Sequence, residues 1–223
     1  MNKKINLKKI SVVGMLTALA YLCMLLFKFK ISFLTFDVKD ALLAVIAFLY
    51  GPLYGVVSSF LVAFIEFLSV SDTGIYGFIM NALSSAAFAG TCGLFYKYRC
   101  TFSGAIVGAV LAVLSMTLVM LLANLFITPY YMGVARSEVA AMIPTLFLPF
   151  NLIKGIVNMA ITLMIYKPIT GALKKTGVLI TGNGSLYKKK FILVTLVSLL
   201  IAVISILLVF FYFDGSLVFG FKG

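Results

Sequence analysis

Apolar and polar positions along this chain fall into long blocks rather than into a helical or strand period. Apolar runs cover 10–27, 53–70, 75–96, 102–127, 145–166 and 191–213. A bilayer-spanning helix needs about 20 predominantly apolar residues, and these runs reach or approach that length. A shorter run, 41–50, is approached through the polar FDVKD and closed by Gly51-Pro52. It is too short to span upright alone, but a helix from near Val38 to the Gly-Pro break crosses most of a locally thin bilayer. The pattern therefore predicts an all-α integral membrane protein. Six helices fill 1–172, a polar, Gly-rich, basic linker covers 173–190, and a seventh helix occupies 191–213.

Composition agrees, with 63% hydrophobic and 11% charged residues and a mean hydropathy of +1.19. Helices that are apolar on nearly every face are stable in lipid and not in water. The net charge of +12 would suit nucleic acid, but its distribution does not. Bases gather at the ends of apolar runs: Lys3, Lys4, Lys8 and Lys9; Lys97 and Arg99; Lys167, Lys174 and Lys175; Lys188, Lys189 and Lys190. That is the positive-inside pattern, and it predicts a cytoplasmic N-terminus. Lys28, Lys30, Lys39, Arg136 and Lys222 fall outside it, and Lys154 alone lies within an apolar run. The first run is longer than a signal-peptide core and lacks a clean cleavage site, so it is expected to be retained. Cys23, Cys92 and Cys100 show neither a disulfide framework nor zinc spacing, and the chain has no His.

The informative stretch is FLPFNLIKGIVN, residues 147–158. At 100° per residue, Asn151, Lys154 and Asn158 share an arc of roughly 60° on one helix face. Pro149 is expected at the first helical position, where its missing N–H is no loss. A lone lysine one to two turns below the surface snorkels to the headgroups. Two amides on the same stripe do not, which favours a binding face.

Further polar groups map to the same side of the bundle: Asn124 in ANLFITPYY, Asn81 in DTGIYGFIMN, Glu66, and Asp37, Lys39 and Asp40 before the short second helix. Phe33, Phe36, Tyr76, Tyr130 and Tyr131 lie close by in sequence. Each polar group also reads as an interhelical hydrogen bond or an interfacial charge. Together they suit a flat, partly apolar small molecule rather than an ion. Small residues recur every fourth position at Gly14 and Ala18, at Gly51 and Gly55, and at Gly104, Gly108 and Ala112. Such spacing lets helices approach closely, within the chain or, at Gly14 and Ala18, against a partner.

In their order, FDVKDALLAVIAFLYGPLYG (36–55), DTGIYGFIMNALSS (72–85), ANLFITPYY (123–131) and FNLIKG (150–155) resemble the substrate-binding S components of energy-coupling factor (ECF) transporters, riboflavin-type members above all. The likeness covers roughly 8–175. It implies a six-transmembrane-helix S-component bundle, from which the extra C-terminal helix departs. It also implies a bacterial plasma-membrane protein that binds a vitamin near the outer side, under the loop after the first helix. The transported ligand would be riboflavin, with no resident cofactor. The partners would be a transmembrane coupling protein and two cytoplasmic ATPases. The family's flavin-contacting asparagines and lysine map onto Asn124, Asn151 and Lys154, with Asp40, Asn81, Glu66, Tyr76 and Phe36 as further candidates. Gly14 and Ala18 match, in size, the family's docking face for the coupling protein.

No catalysis is expected. HExxH chemistry is impossible without His, and no GxxxxGK[ST] phosphate loop is present. Asp37 and Asp40 sit at a loop and read as interfacial rather than as an acid–base pair. The alternatives are an S component for a flavin nucleotide or another heterocyclic vitamin and, in another class, a membrane assembly subunit whose polar residues only lock helices together.

Overall fold

The computed structural model describes residues 7–31, 33–175, 195–201, 203–204, 207 and 218–219. Helix α1 (Leu7–Leu26) is followed by a short antiparallel hairpin, β1 (Phe29–Ile31) and β2 (Leu34–Phe36). Then come α2 (Lys39–Tyr50), α3 (Pro52–Ser69), α4 (Gly74–Tyr98) and α5 (Phe102–Met132). A last helical path comprises α6 (Arg136–Met142), a π-helical turn (Ile143–Phe147) and α7 (Leu148–Lys175). Strand β3 (Val218–Phe219) adds to the free edge of β1, with Phe29 opposite Phe219 and Lys30 opposite Val218. The expected linker, apart from its first residues at the end of α7, and most of the expected C-terminal helix lie outside the described residues. Within that helix, 195–201 are helical.

Among the described residues, five helices are long and apolar enough to cross a membrane: α1, α3, α4, α5 and the continuous path from Arg136 to Leu173. Their outward faces carry Leu19, Leu22, Phe60, Phe64, Leu114 and Leu118, all exposed in the isolated chain, as lipid-facing helices require. Helix α2 differs in kind. Every residue from Lys39 to Phe48 is buried, because α1, α3, α4 and α7 all pack on it. Its near-continuous apolar sequence therefore faces protein rather than lipid.

The reversal from α2 into α3 depends on Gly51, whose φ of +101° is strained for any residue with a Cβ. Pro52 follows at the first turn of α3, where no N–H is needed. One turn on, a Cβ added to Gly55 would lie 2.7 Å from Ala47 Cβ, so α2 and α3 touch through small residues.

The last helical path corrects one expectation. Pro149 does not open the helix, since helical backbone begins at Arg136. The chain accommodates the proline by widening the turn before it, and Leu148 N–H donates to Ile143 O, five residues back. A π turn of this kind re-routes carbonyls that a downstream proline leaves without a donor.

Charge separates the two ends of the bundle. The end opposite the hairpin carries Lys8, Lys9, Lys97, Arg99 and Lys167, with Lys9 over the rings of Tyr50 and Tyr54. At the hairpin end, Lys28 pairs with Glu66 and Lys30 with Asp72, and Arg136 stacks on Phe126 at 4.8 Å.

Candidate binding site beneath the hairpin

A cavity of about 650 Å³, counting its open mouth, lies at the hairpin end of the bundle. Phe33, Leu34 and Thr35 of the hairpin cover it, and α4, α5 and α7 supply the walls. Met80, Met120, Ile127 and Phe150 make the lining largely apolar, with Tyr76 and Tyr131 near the mouth, their ring centroids 6.1 Å apart. Against this background stand Asn81, Ser84, Asn124, Thr128, Asn151 and Lys154.

Two of these amides are held by their own helices. Asn124 Nδ2 donates to Met120 O at 2.7 Å, and its Oδ1 accepts from Thr128 Oγ at 2.9 Å. Asn151 Nδ2 donates to Phe147 O at 2.8 Å, a carbonyl in the π turn. These bonds fix the amides as oriented donor–acceptor groups, suited to a heterocycle that alternates acceptors and donors.

Lys154 is 3% exposed and does not snorkel. Its ammonium donates to Asp37 Oδ2 at 3.0 Å and Thr35 O at 3.4 Å, turning inward to the segment that follows the hairpin. Asp37 Oδ2 also accepts from Lys39 Nζ at 2.9 Å, and Lys39 Nζ donates to Glu66 Oε2 at 3.2 Å. Glu66 accepts further from Asn81 Nδ2 at 3.0 Å and from Lys28 Nζ at 3.1 Å. The result is a continuous chain, Lys28–Glu66–Lys39–Asp37–Lys154, buried except at the half-buried Lys28, in which every ammonium has a carboxylate. Buried ions persist in such a setting only when paired and hydrogen-bonded.

The eight candidate site residues take different positions. Asn81, Asn124, Asn151, Lys154 and Tyr76 line the cavity. Glu66 lines a smaller, polar space that adjoins it and shares Phe33, Thr35, Thr73, Asn81 and Tyr131. Phe36 lies behind the wall, stacked on Phe29 at 4.6 Å and edge-on to Phe150 at 6.3 Å. Asp40 faces α4 instead, where its Oδ1 accepts from Ser85 Oγ. Sequence reasoning passed over Ser84, Met120, Ile127, Thr128 and Phe150 as lining residues. Thr128 was legible as the position one turn beyond Asn124, on the same helix face.

Asn158 shares the stripe of Asn151 and Lys154 but turns away from the cavity. Its Oδ1 accepts from Ala41 N, and its Nδ2 donates to Asp37 O and Lys154 O, each at 3.0 Å. It thus satisfies one of the open N–H groups of the first turn of α2. At the rim, the hydrogen bond from Lys30 holds the Asp72 carboxyl below the usual carboxylate range.

A mostly apolar cavity with a few fixed polar groups, under a hairpin at one end of an apolar helical bundle, defines a small-molecule-binding membrane protein. Residues 8–166 match the family described as ECF transporter, substrate-specific component, and the chain belongs to that family. It is 28% identical over 187 residues to the riboflavin transporter RibU of Staphylococcus aureus (strain TCH60), covering 78% of this chain and 97% of that protein. It is 27% identical over 173 residues to the riboflavin transporter FmnP of Bacillus subtilis (strain 168), covering 72% and 91%. A solved structure of the S component of a bacterial ECF transporter superposes with a TM-score of 0.64 at 28% identity, over 75% of this chain and 98% of that one.

Proposed function

We propose that this chain is the riboflavin-binding S subunit of an ECF-type importer in the bacterial plasma membrane. The observation that carries the reading is the convergence of Asn124, Asn151 and Lys154, from α5 and α7, on one largely apolar cavity, in a chain related to riboflavin transporters. An asparagine amide matches the alternating acceptor and donor of the pyrimidine-dione ring, and Lys154 adds a charge-assisted bond to a ring carbonyl or nitrogen or to the ribityl chain. Met80, Met120, Ile127 and Phe150 cover the dimethylbenzene end.

The N-terminus lies in the cytoplasm and the cavity opens outward. The basic residues at the end opposite the hairpin then sit inside, while the lysines at the hairpin end are neutralised by Glu66 and Asp72. Six helices over 1–172 form the binding unit, α2 among them. Residues 173–190 link it to a further crossing over 191–213, which is consistent with β3 meeting the hairpin on the outer side. The chain carries no chemistry of its own. A transmembrane coupling protein and two ATPases supply the energy, docking at the face of α1 marked by Gly14 and Ala18. Both residues are exposed, and no atom lies within 4 Å of a Cβ built on Gly14.

Titration of the purified chain with riboflavin, followed by quenching of flavin fluorescence, tests the assignment. Stoichiometric quenching is expected, and absence of binding refutes it. One observation favours a flavin nucleotide as a second reading: the adjoining polar space contains Lys28 and Lys30. The same space holds Glu66 and Asp72, which repel a phosphate. Riboflavin is therefore expected to outcompete FMN, and the reverse order transfers the assignment.

A further inference from the structure

Among the buried charges one residue stands apart from the wall it serves. Asp37 does not line the cavity, yet a single oxygen, Oδ2, receives both Lys39 Nζ at 2.9 Å and Lys154 Nζ at 3.0 Å. Its other oxygen accepts from Lys39 N at 3.3 Å. Its backbone carbonyl is tied to α7 by Asn158 Nδ2. Two residues earlier, Thr35 O in β2 accepts from Lys154. Asp37 thus stands where the covering hairpin, the start of α2 and the polar stripe of α7 meet, and it has no freedom to choose another partner.

An ammonium has three N–H donors and no acceptor. At Lys154 two are committed, to Asp37 and to Thr35 O, which leaves one for the cavity that Lys154 lines. Four methylenes otherwise allow a lysine to swing along a wall toward water. The carboxylate removes that freedom and compensates the charge, so Lys154 presents an aimed donor rather than a loose cation.

We propose that Asp37 is the positioning residue for ligand recognition: it acts on the ligand through Lys154, by fixing where the remaining N–H points. The proposal rests on the reading of Lys154 as a flavin contact. A lid strand, an anchoring carboxylate and a ligand-facing ammonium then form one unit, so displacement of the hairpin at Thr35 also misdirects Lys154.

A double-mutant cycle on the purified full chain separates this role from simple packing. Lys154→Met and Asp37→Asn are each expected to raise the riboflavin dissociation constant about tenfold, or 1.4 kcal/mol. The combined variant is expected to match Lys154→Met within twofold, because Asp37 has nothing left to aim. Multiplicative losses, or wild-type affinity in Asp37→Asn, overturn the proposal. Wild-type affinity in Lys154→Met overturns the flavin-contact reading itself, and the proposal falls with it. Should Asp37→Asn alone fail to fold, Asp37→Asn with Lys39→Met removes one cation and one anion together. The same cycle against Lys154→Met is then run on that charge-balanced background. Tenfold loss that disappears when Lys154 is absent supports the role, and undiminished binding or a persisting loss refutes it.

Discussion

Asn151 and Asn158 lie on one stripe of one helix, yet the structure gives them different work, and a leucine at each position separates the two. Among the described residues, replacing Asn158 with Leu removes the sole side-chain partner of Ala41 N and of Asp37 O, both deep in the protein. Ala41 N keeps a long bond to Val38 O at 3.4 Å, and Lys154 O remains available to the helix ladder. Leaving a buried polar group unpaired costs about 1–3 kcal/mol. Two such groups set an upper bound near 6 kcal/mol. Interhelical hydrogen bonds in membranes average only about 0.6 kcal/mol, because the unfolded state in lipid finds partners too. The partial rescue of Ala41 N argues for the lower part of the range, so a loss of about 2 kcal/mol is expected.

Cys92 supplies the assay. It is fully buried and becomes reactive to a thiol-specific fluorophore only on unfolding, once Cys23 and Cys100 are replaced. In detergent, Asn158→Leu is expected to unfold several degrees below the parent while its folded fraction binds riboflavin within about threefold of it. Asn151→Leu is expected to unfold with the parent and to lose binding. Ligand stabilisation depends on concentration over dissociation constant, so saturating riboflavin should raise the Asn158→Leu midpoint by the usual increment and leave Asn151→Leu unmoved. The opposite assignment of the two defects would refute the division of the stripe into a binding half and a bracing half.

Three other outcomes are expected. Lys154→Ala or Asn151→Asp weakens riboflavin binding by about 1–3 kcal/mol, read by fluorescence quenching; wild-type affinity in both removes them from the site. Gly14→Leu with Ala18→Leu leaves riboflavin affinity unchanged, because both positions are exposed among the described residues, but abolishes co-purification with the coupling module. In intact cells of a cysteine-free chain, Val218→Cys reacts with a membrane-impermeant maleimide, whereas Lys97→Cys reacts only after permeabilisation; the reverse pattern inverts the orientation.

What could be read from the sequence was what repeats or what is costly. Long apolar runs announce helices because lipid demands that the backbone satisfy itself. Lys154 was conspicuous because no other basic residue interrupts an apolar run. The hairpin was not legible, since three-residue strands such as Phe29–Ile31 carry too little pattern to distinguish from a loop. Nor was the burial of Lys39. In FDVKD it reads as an interfacial charge, and its pairing with Glu66 joins positions 27 residues apart. The π turn before Pro149 was hidden for another reason. Proline signals a helix start as readily as an interruption, and tertiary packing decides which.

The short second helix explains why a site exists at all. From the Gly51 reversal, α3 runs for 18 residues and α2 for only 12. At 1.5 Å per residue, α2 stops about 9 Å short of its neighbour. A full-length apolar helix would fill that space. Instead it holds the end of β2 and the turn into α2, from Thr35 to Val38, where the carbonyls of Thr35 and Asp37 take side-chain donors. Asn158 takes Asp37 O, Lys154 takes Thr35 O, and Asp37 answers the charge that Lys154 brings. The polar stripe of α7 is therefore first a solution to a missing half-helix. Recognition follows from the same arrangement, because Lys154, one of the groups that repair the backbone, is already fixed, desolvated and directed at the opening left beside it.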